Sequence, residues 1–365
     1  MRKDEEVDRD SYSFRSQSSQ VRDLFHTEDY IAFPATFHMY KVERMQDRTV
    51  PGNYTMITQV YLVGLTSHRR TQLALFVIIL VAYLISMASN LLIILLVQMD
   101  FRLHTPMYFF LTNLSLLEMC FTSTVVPQML AHLLVGDGRL SFGRCAFQMY
   151  MACSLGCTEG LLLGAMAYDR YMAICCPLVY AVAMSWARCL MLAAISWVGA
   201  FLLSGLITAF IMQLPFCGPN EINHFNCEFV MVIRLGCTDT SFTEAIILGV
   251  GVFILIVPLA TILISYGLIM ATVVRMSSGE SRSKAFSTCA SHLMVVTMFY
   301  GCLIGLYMRP RSGTDPSHDK HVSIFYVVIT PLLNPIIYTL RNKDVHAAVA
   351  KVFRIELINT RPEWS

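Results

Sequence analysis

The chain has 365 residues, of which 55% are hydrophobic and only 14% charged, and its formal net charge is +2. A typical soluble domain carries about 25% charged residues. The composition therefore argues against a soluble protein and predicts one that is embedded in a lipid bilayer. We expect no nucleic-acid partner.

The N-terminal part of the chain differs from the rest. Residues 1–50 are polar and charged without a sustained apolar run, so we expect a disordered extension. This extension also lacks the apolar core of a cleavable signal peptide. Met45 or Met56 could start a shorter chain. Residues 51–71 form an extracellular segment in which the sequon Asn53-Tyr-Thr predicts N-linked glycosylation at Asn53.

Seven apolar stretches follow, each near or above the roughly 20 residues that a spanning helix needs. Residues 72–340 are therefore predicted to form one all-α membrane domain, a bundle of seven transmembrane helices. Prolines inside these stretches are compatible with helices, because a bilayer forces the backbone to satisfy its hydrogen bonds internally. The predicted spans cover residues 72–97, 106–133, 145–174, 189–211, 244–274, 286–307 and 322–340.

The last segment, residues 341–365, indicates which way the bundle crosses the membrane. Positive side chains concentrate on the cytoplasmic side of membrane proteins. They accumulate after Tyr338, which together with the sequon at Asn53 predicts an extracellular N-terminus and a cytoplasmic C-terminus. Within residues 343–353, apolar side chains at helical spacing predict a short amphipathic helix on the membrane surface. The positive residues are Arg341, Lys343, Lys351, Arg354 and Arg361, and the apolar ones are Val345, Val349, Val352 and Phe353.

Four of the twelve cysteines lie on the predicted outer side, where an oxidising lumen permits disulfides. Cys145 begins the third stretch, and Cys217, Cys227 and Cys237 fall in the loop after the fourth. Four cysteines allow three pairings, and their spacing does not choose among them.

His224 lies three residues before Cys227, and Glu228 follows that cysteine directly. Two interpretations are open. The three side chains could form a metal-binding cluster, because His, Cys and Glu are all metal ligands. Alternatively, His224 is a surface side chain beside a disulfide-bonded cysteine.

Two acids, Glu118 and Glu159, lie in the middle of apolar stretches, where a charge costs roughly 2.5–3.5 kcal/mol or more. Ser115 lies in the same stretch as Glu118, and other stretches contribute Asn90 and Asn334. These polar groups could form an interior cluster that holds a Na⁺ ion. The other interpretation is that one acid is protonated and simply hydrogen-bonded, which burial favours.

Four motifs occur along the chain in a fixed order, and together they carry a family resemblance. From about Asn53 to Phe353 the chain resembles an odorant receptor, a member of the rhodopsin-like G-protein-coupled receptors. The motifs are Leu103-His-Thr-Pro-Met-Tyr-Phe-Phe-Leu111, Met166-Ala-Tyr-Asp-Arg-Tyr-Met-Ala-Ile-Cys175, Lys284-Ala-Phe-Ser-Thr-Cys-Ala-Ser-His292 and Pro331-Leu-Leu-Asn-Pro-Ile-Ile-Tyr338.

The resemblance implies a G-protein switch at the inner end of the third helix. If Asp169 holds Arg170 at rest, movement of a neighbouring helix would free Arg170 for a heterotrimeric G protein, most simply the stimulatory olfactory type that raises cyclic AMP. Pro335 interrupts the helical hydrogen bonds and offers a bend point. Further switch residues are Tyr171, Tyr266, Asn334 and Tyr338. Acids at the positions of Glu118 and Glu159 are also usual in the family, although an Asp is more common at the first.

The resemblance further implies a ligand pocket in the outer half of the bundle and two disulfides, Cys145–Cys227 and Cys217–Cys237. The candidate pocket residues carry almost no charge, so the ligand should be small, volatile, neutral and largely hydrophobic. Each of them could equally serve helix packing. They are Met151, Ala152, Cys153, Gly156, Cys157, Val250, Phe253, Ile254, Tyr300, Leu303, Ile304 and Tyr307.

Other functions receive less support from the sequence. The chain has no H-E-x-x-H motif and no Ser/His pair in a recognisable context, so we expect no enzyme. No cofactor is expected beyond a structural Na⁺ ion. An ion-coupled transporter would also contain intramembrane acids, but no internal repeat of the chain halves is visible. A rhodopsin-like receptor for a non-odorant ligand stays open. The expected location is the plasma membrane.

Overall fold

The computed structural model of the chain describes residues 57–216, 220–275, 279–307, 316–340, 345 and 347–350. Within these ranges, seven helices are long and apolar enough to cross a membrane, and the predicted seven-helix fold is confirmed. The extension 1–50, Asn53, Cys217 and most of the tail 341–365 lie outside the described residues. Of the predicted amphipathic helix, Val345 and residues 347–350 are helical.

The first six spans are continuous helices, and most run a few residues beyond the predicted stretches. Hydropathy marks only the apolar part of a span, whereas a helix continues until a cap ends it. The second span ends at Gly136, whose φ of 80° supplies the left-handed cap that favours glycine. The spans are α1 (Arg69–Met99), α2 (Pro106–Val135), α3 (Phe142–Cys175), α5 (Trp186–Met212), α7 (Ser241–Arg275) and α8 (Gly279–Tyr307).

The seventh span differs from a plain helix. It consists of α9 (Pro316–Ile324), a wider π-helical segment (Phe325–Ile329) and α10 (Thr330–Leu340). Pro331 has no N–H to donate four residues back, which favours a local departure from α-helical bonding just before it. The Thr330 hydroxyl donates to the Phe325 carbonyl at 3.3 Å across this segment. π-Helical turns inside helices often occur at functional sites.

The third span lies at the centre of the bundle and packs against the second, fourth and fifth spans. Large side chains such as Phe110, Leu117, Leu162 and Phe299 fill the interior and are almost completely buried. The first, fourth and fifth spans instead expose many aliphatic side chains. Such an apolar outer surface suits contact with lipid tails.

A small sheet covers the end of the bundle from which the first span begins, and sequence reasoning did not predict it. Its central strand β1 (Gln59–Leu62) pairs antiparallel with β2 (Arg139–Ser141) and parallel with β3 (Glu221–Ile222). The segment before the first span is thereby joined to the loop after the second span and to the loop after the fourth span. Two short helices complete the loops: α4 (Tyr180–Ala183) after the third span and α6 (Phe229–Ile233) after β3.

The loop after the fourth span is tied to the third span by the disulfide Cys145–Cys227, which confirms this predicted pairing. The Cys227 N–H also donates to the Gln148 side-chain oxygen at 2.9 Å. Cys237 is disulfide-bonded as well. Its predicted partner, Cys217, lies outside the described residues.

Candidate functional site

The Asp169–Arg170 pair lies at the end of the third span opposite the sheet, but the two side chains have other partners. The Asp169 carboxylate accepts a hydrogen bond of 2.8 Å from the Tyr180 hydroxyl on α4. The Arg170 guanidinium contacts the Met107 sulfur at the start of the second span. The expectation that Asp169 holds Arg170 at rest is therefore wrong for this conformation.

The reason for this difference is the short helix α4, which the sequence did not reveal. It places the Tyr180 hydroxyl within reach of the buried Asp169 carboxylate. A buried acceptor without a donor is costly, and the Tyr180 hydroxyl provides the donor for the Asp169 carboxylate. Burial of Tyr180 and the neighbouring Asp169 carboxylate also raise the pKa of the Tyr180 phenol.

The predicted switch tyrosines also lie near this end of the bundle. The Tyr266 hydroxyl of the fifth span hydrogen-bonds His292 Nδ1 of the sixth span at 2.7 Å, so it joins these two helices rather than binding Arg170. Tyr338 is buried, and its hydroxyl has no hydrogen-bond partner among the described residues. The Tyr171 hydroxyl is 3.9 Å from the Cys176 sulfur. Pro335 lies inside α10.

An exposed apolar patch lies beside these residues, and sequence reasoning missed it. Leu178, between the third span and α4, is 99% exposed. Other large apolar side chains in the turns at this end are also exposed. Exposed apolar surface of this kind marks contacts with proteins or membranes. The patch comprises Phe101, Leu178, Val179, Val182 and Trp186.

The two intramembrane acids are both almost completely buried in the middle of the bundle. The Asn334 amide of the seventh span donates to Glu118. Glu159 accepts a hydrogen bond of 3.3 Å from the Tyr326 hydroxyl, which belongs to the π-helical segment. Within the described residues, Glu159 Oε1 and Asn334 Oδ1 have no hydrogen-bond partner. The cluster therefore offers oxygen atoms that can take up a proton or a small cation.

The remaining predicted polar residues occupy the same interior. Ser115 is buried one helical turn before Glu118. The Asn90 amide donates to the carbonyls of Ser86, at 3.0 Å, and Pro331, at 3.2 Å, and so joins the first span to the seventh. In the described ranges, no group of three or more His, Cys, Asp or Glu side chains is arranged to hold a metal ion.

Most of the predicted pocket residues face the interior of the half of the bundle that lies nearest the sheet. Ile254 and Tyr300 are buried, and seven others are half-buried: Met151, Ala152, Cys153, Gly156, Cys157, Val250 and Leu303. Phe253 and Ile304 are corrections, because they are 64% and 47% exposed on the outside of the bundle. Each helical residue turns about 100° from the last, so Phe253 points away from the face that buries Ile254. The Tyr307 side chain lies outside the described part.

Two glycines of the third span, one of them the predicted pocket residue Gly156, leave space for aromatic rings. A Cβ at Gly156 would lie 3.0 Å from the Tyr326 hydroxyl, and one at Gly160 would lie 3.4 Å from the Phe299 ring. The Tyr300 hydroxyl is buried without a partner in the described part of the chain. The only sequence signal for this arrangement was the pair of glycines four residues apart in one span.

His224 is buried rather than on the surface. Its Nδ1 accepts the Asn226 N–H at 3.4 Å, and its Nε2 is 3.2 Å from the Ser323 hydroxyl of the seventh span. Burial lowers the pKa of His224 to about 4. Cys227 is held in a disulfide and provides no thiolate, so the metal-cluster interpretation is wrong. The other interpretation is confirmed for the disulfide-bonded cysteine and wrong for the surface position of His224.

Comparisons with known proteins agree with this architecture. A family model described as "Olfactory receptor" matches residues 79–356. Olfactory receptor 2D2 of Homo sapiens is 48% identical over 300 residues, which cover 82% of this chain and 97% of that protein. Olfactory receptor 2C1 of Mus musculus is 47% identical over 291 residues, covering 80% of this chain and 93% of that protein.

A solved structure supports the fold independently of close sequence similarity. The crystal structure of squid rhodopsin matches with a TM-score of 0.59 and 16% sequence identity. The match covers 80% of this chain and 88% of that chain. At this identity the comparison concerns the helical bundle alone.

Proposed function

The chain belongs to the olfactory receptor family, and we propose that it binds a small, neutral, largely hydrophobic odorant and activates a stimulatory olfactory-type G protein, raising cyclic AMP. Membership of this family confirms the resemblance read from the four motifs, the rhodopsin-like receptor fold and the prediction that the chain is not an enzyme. The protein is a multi-pass membrane receptor. The transporter alternative receives no support from these relatives.

The interior of the outer half supports the class of ligand. Its side chains are apolar or weakly polar, and the buried Tyr300 hydroxyl lacks a partner among the described residues. Pockets that are apolar with a few polar groups select ligands of the same character. A ligand with one hydrogen-bonding oxygen would satisfy Tyr300 and bury its hydrocarbon part against Met151 and Leu303.

The opposite end of the bundle supports the proposed contact with a G protein. The main support is the exposure of Leu178 at this end. A leucine that is 99% exposed, two residues before the tyrosine that binds Asp169, is ready to be buried by a partner. Burying such a side chain contributes roughly 1.5–3 kcal/mol. The Tyr180–Asp169 hydrogen bond fixes the loop that presents this leucine.

Two further proposals concern orientation and ions. We propose that the end with the sheet is extracellular, which the disulfide supports because disulfides form in oxidising compartments. We also propose that the oxygens of Glu118, Glu159, Ser115 and Asn334 hold a Na⁺ ion. The support is their common burial and the two oxygens that lack partners in the described residues.

The function is tested by measuring cyclic AMP in cells that express the full chain, across a panel of volatile compounds. We expect a dose-dependent response that Arg170→Ala abolishes and Leu178→Ala reduces. Leu202→Ala is the matched control, because Leu202 is exposed on the fourth span, away from this end. Surface expression is measured in parallel. Full signalling by Arg170→Ala at normal surface expression would refute the proposed switch.

A further inference from the structure

Residues 57–66, the segment before the first span, connect the loops at this end of the bundle, and we name this segment the clasp. Its strand β1 is hydrogen-bonded on both sides, to the first outer loop and to the second. The Leu62 N–H donates to the Gly138 carbonyl at 2.9 Å, and the Val63 N–H donates to the Ile222 carbonyl at 3.0 Å. Val60 and Leu62 point inward and are almost completely buried. The clasp is therefore held in place by backbone hydrogen bonds on both sides and by its buried side chains.

The clasp is also fastened to the helices below it. The Lys320 ammonium of the seventh span donates to the Gly64 carbonyl at 2.8 Å. The Gly64 N–H donates to the His224 carbonyl at 3.1 Å. Gln72 of the first span donates to the Thr66 carbonyl at 3.0 Å. One short segment thus connects the first span, the seventh span and both outer loops.

Two small hollows lie among the clasp, the loops and the helix ends. The hollow between His224, Arg234 and Ser323 has a volume of about 20 Å³, which is enough for about one water molecule. The hollow between Gly64, His132 and Phe225 has no room for one. In the described part of the chain, these hollows do not provide a passage from water to the half-buried Cys153 and Cys157 below.

The contact between the fifth and sixth spans is looser than the other contacts between neighbouring spans. The fifth span packs along the third but touches the sixth at few places. In the outer halves of these two helices, Gly249, Gly251 and Gly301 have no heavy atom within 4 Å of the position that a Cβ would occupy. The surface here is apolar, since Phe253 is exposed.

We infer that the clasp seals the outer mouth and that apolar ligands reach the interior from the bilayer, between the outer halves of the fifth and sixth spans. This inference rests on the proposed function, because it concerns the route of the ligand proposed there. Hydrocarbon groups partition into lipid at about 0.8 kcal/mol per buried CH₂. A hydrophobic ligand is therefore concentrated at the bilayer face of the receptor, whereas a charged molecule is excluded from this route.

The test uses the thiols of Cys153 and Cys157 and needs no known ligand. The full chain in intact cells is treated from outside with an uncharged N-alkyl maleimide or with a charged, membrane-impermeant maleimide of similar size. Mass spectrometry of the peptide that contains both cysteines reports the modification rate. We expect modification by the uncharged reagent and little by the charged one. Equal rates would overturn the seal, and no modification by either would overturn the bilayer route.

Two variants separate the seal from the route. Lys320→Met removes the charged hydrogen bond to Gly64 and should increase modification by the charged reagent about tenfold, which corresponds to about 1.4 kcal/mol. Gly301→Phe fills open space on the sixth span and should slow the uncharged reagent. Gly199→Phe on the fourth span, which also has open space, is its control.

Equal slowing by Gly301→Phe and Gly199→Phe, or by neither, would overturn the route between the fifth and sixth spans. An unchanged rate for the charged reagent in Lys320→Met would overturn the role of the clasp. Because the rate of modification does not depend on signalling, failure of this inference is distinguishable from failure of the proposed function.

Discussion

Replacing Gly64 with alanine should destabilise the receptor. Gly64 has a φ of 76°, a left-handed conformation that costs other residues roughly 1–2 kcal/mol. A Cβ there would lie 2.6 Å from His132 Cε1, which forces the imidazole ring or the clasp to move. Relieving such overpacking costs about 1–3 kcal/mol more. We therefore expect a total loss of about 2–5 kcal/mol.

The assay is the thermal unfolding of purified receptor without ligand. A loss of this size lowers Tm by at least several degrees, at roughly 2–4 °C per kcal/mol for a domain of a few hundred residues. Gly199→Ala is the control, because Gly199 lies in a helix with nothing within 4 Å of its Cβ position, and alanine should leave Tm unchanged or raise it slightly. Equal melting temperatures for the two variants would refute the argument that clasp geometry requires glycine.

Two further predictions concern the same end of the bundle. Burial lowers the pKa of His224 from about 6.5 in the unfolded chain to about 4 in the folded protein. As the pH falls, the unfolded state therefore binds the proton before the folded state does. The free energy of unfolding should decrease between pH 6.5 and pH 4, by roughly 3 kcal/mol at most. Melting curves at pH 7.5 and 5 should show a smaller pH effect in His224→Gln than in wild type, and an identical effect would contradict a buried neutral histidine. Cys145→Ser removes a disulfide whose cysteines are separated by 82 positions, and it should lower the free energy of unfolding by about 4–5 kcal/mol in the chain-entropy model. The measurement is Tm. The control is Cys120→Ser, because Cys120 is a free cysteine and its replacement should leave Tm near that of the wild type.

The spans were predictable because the residue types of each stretch are enough to indicate whether it lies in water or in a bilayer. A run of apolar residues of sufficient length has no stable state in water and one obvious state in a bilayer. For this reason the stretch 106–133 and the helix Pro106–Val135 nearly coincide. The Cys145–Cys227 pairing came from the family resemblance, since spacing alone left three pairings open. The family itself was recognisable from the order of the four motifs along the chain.

The partners of the charged residues were not predictable. Adjacency in the sequence suggested that Asp169 binds Arg170, yet Tyr180, eleven residues further on, is the partner because α4 folds back onto the third span. The orientation of Phe253 was equally uncertain, because an apolar residue in a span can face either lipid or the interior and both are favourable. Hydropathy does not distinguish the two faces.

The sequence by itself thus determined the membrane environment, the number of spans, the family and the buried acids, since each depends on residue types within a short stretch or on the order of motifs. Only the tertiary structure decided how residues 57–66 join the loops after the second and fourth spans to the seventh span, and how Tyr326 meets Glu159. These contacts join residues far apart in the chain. They depend on backbone positions that no local pattern of side chains records.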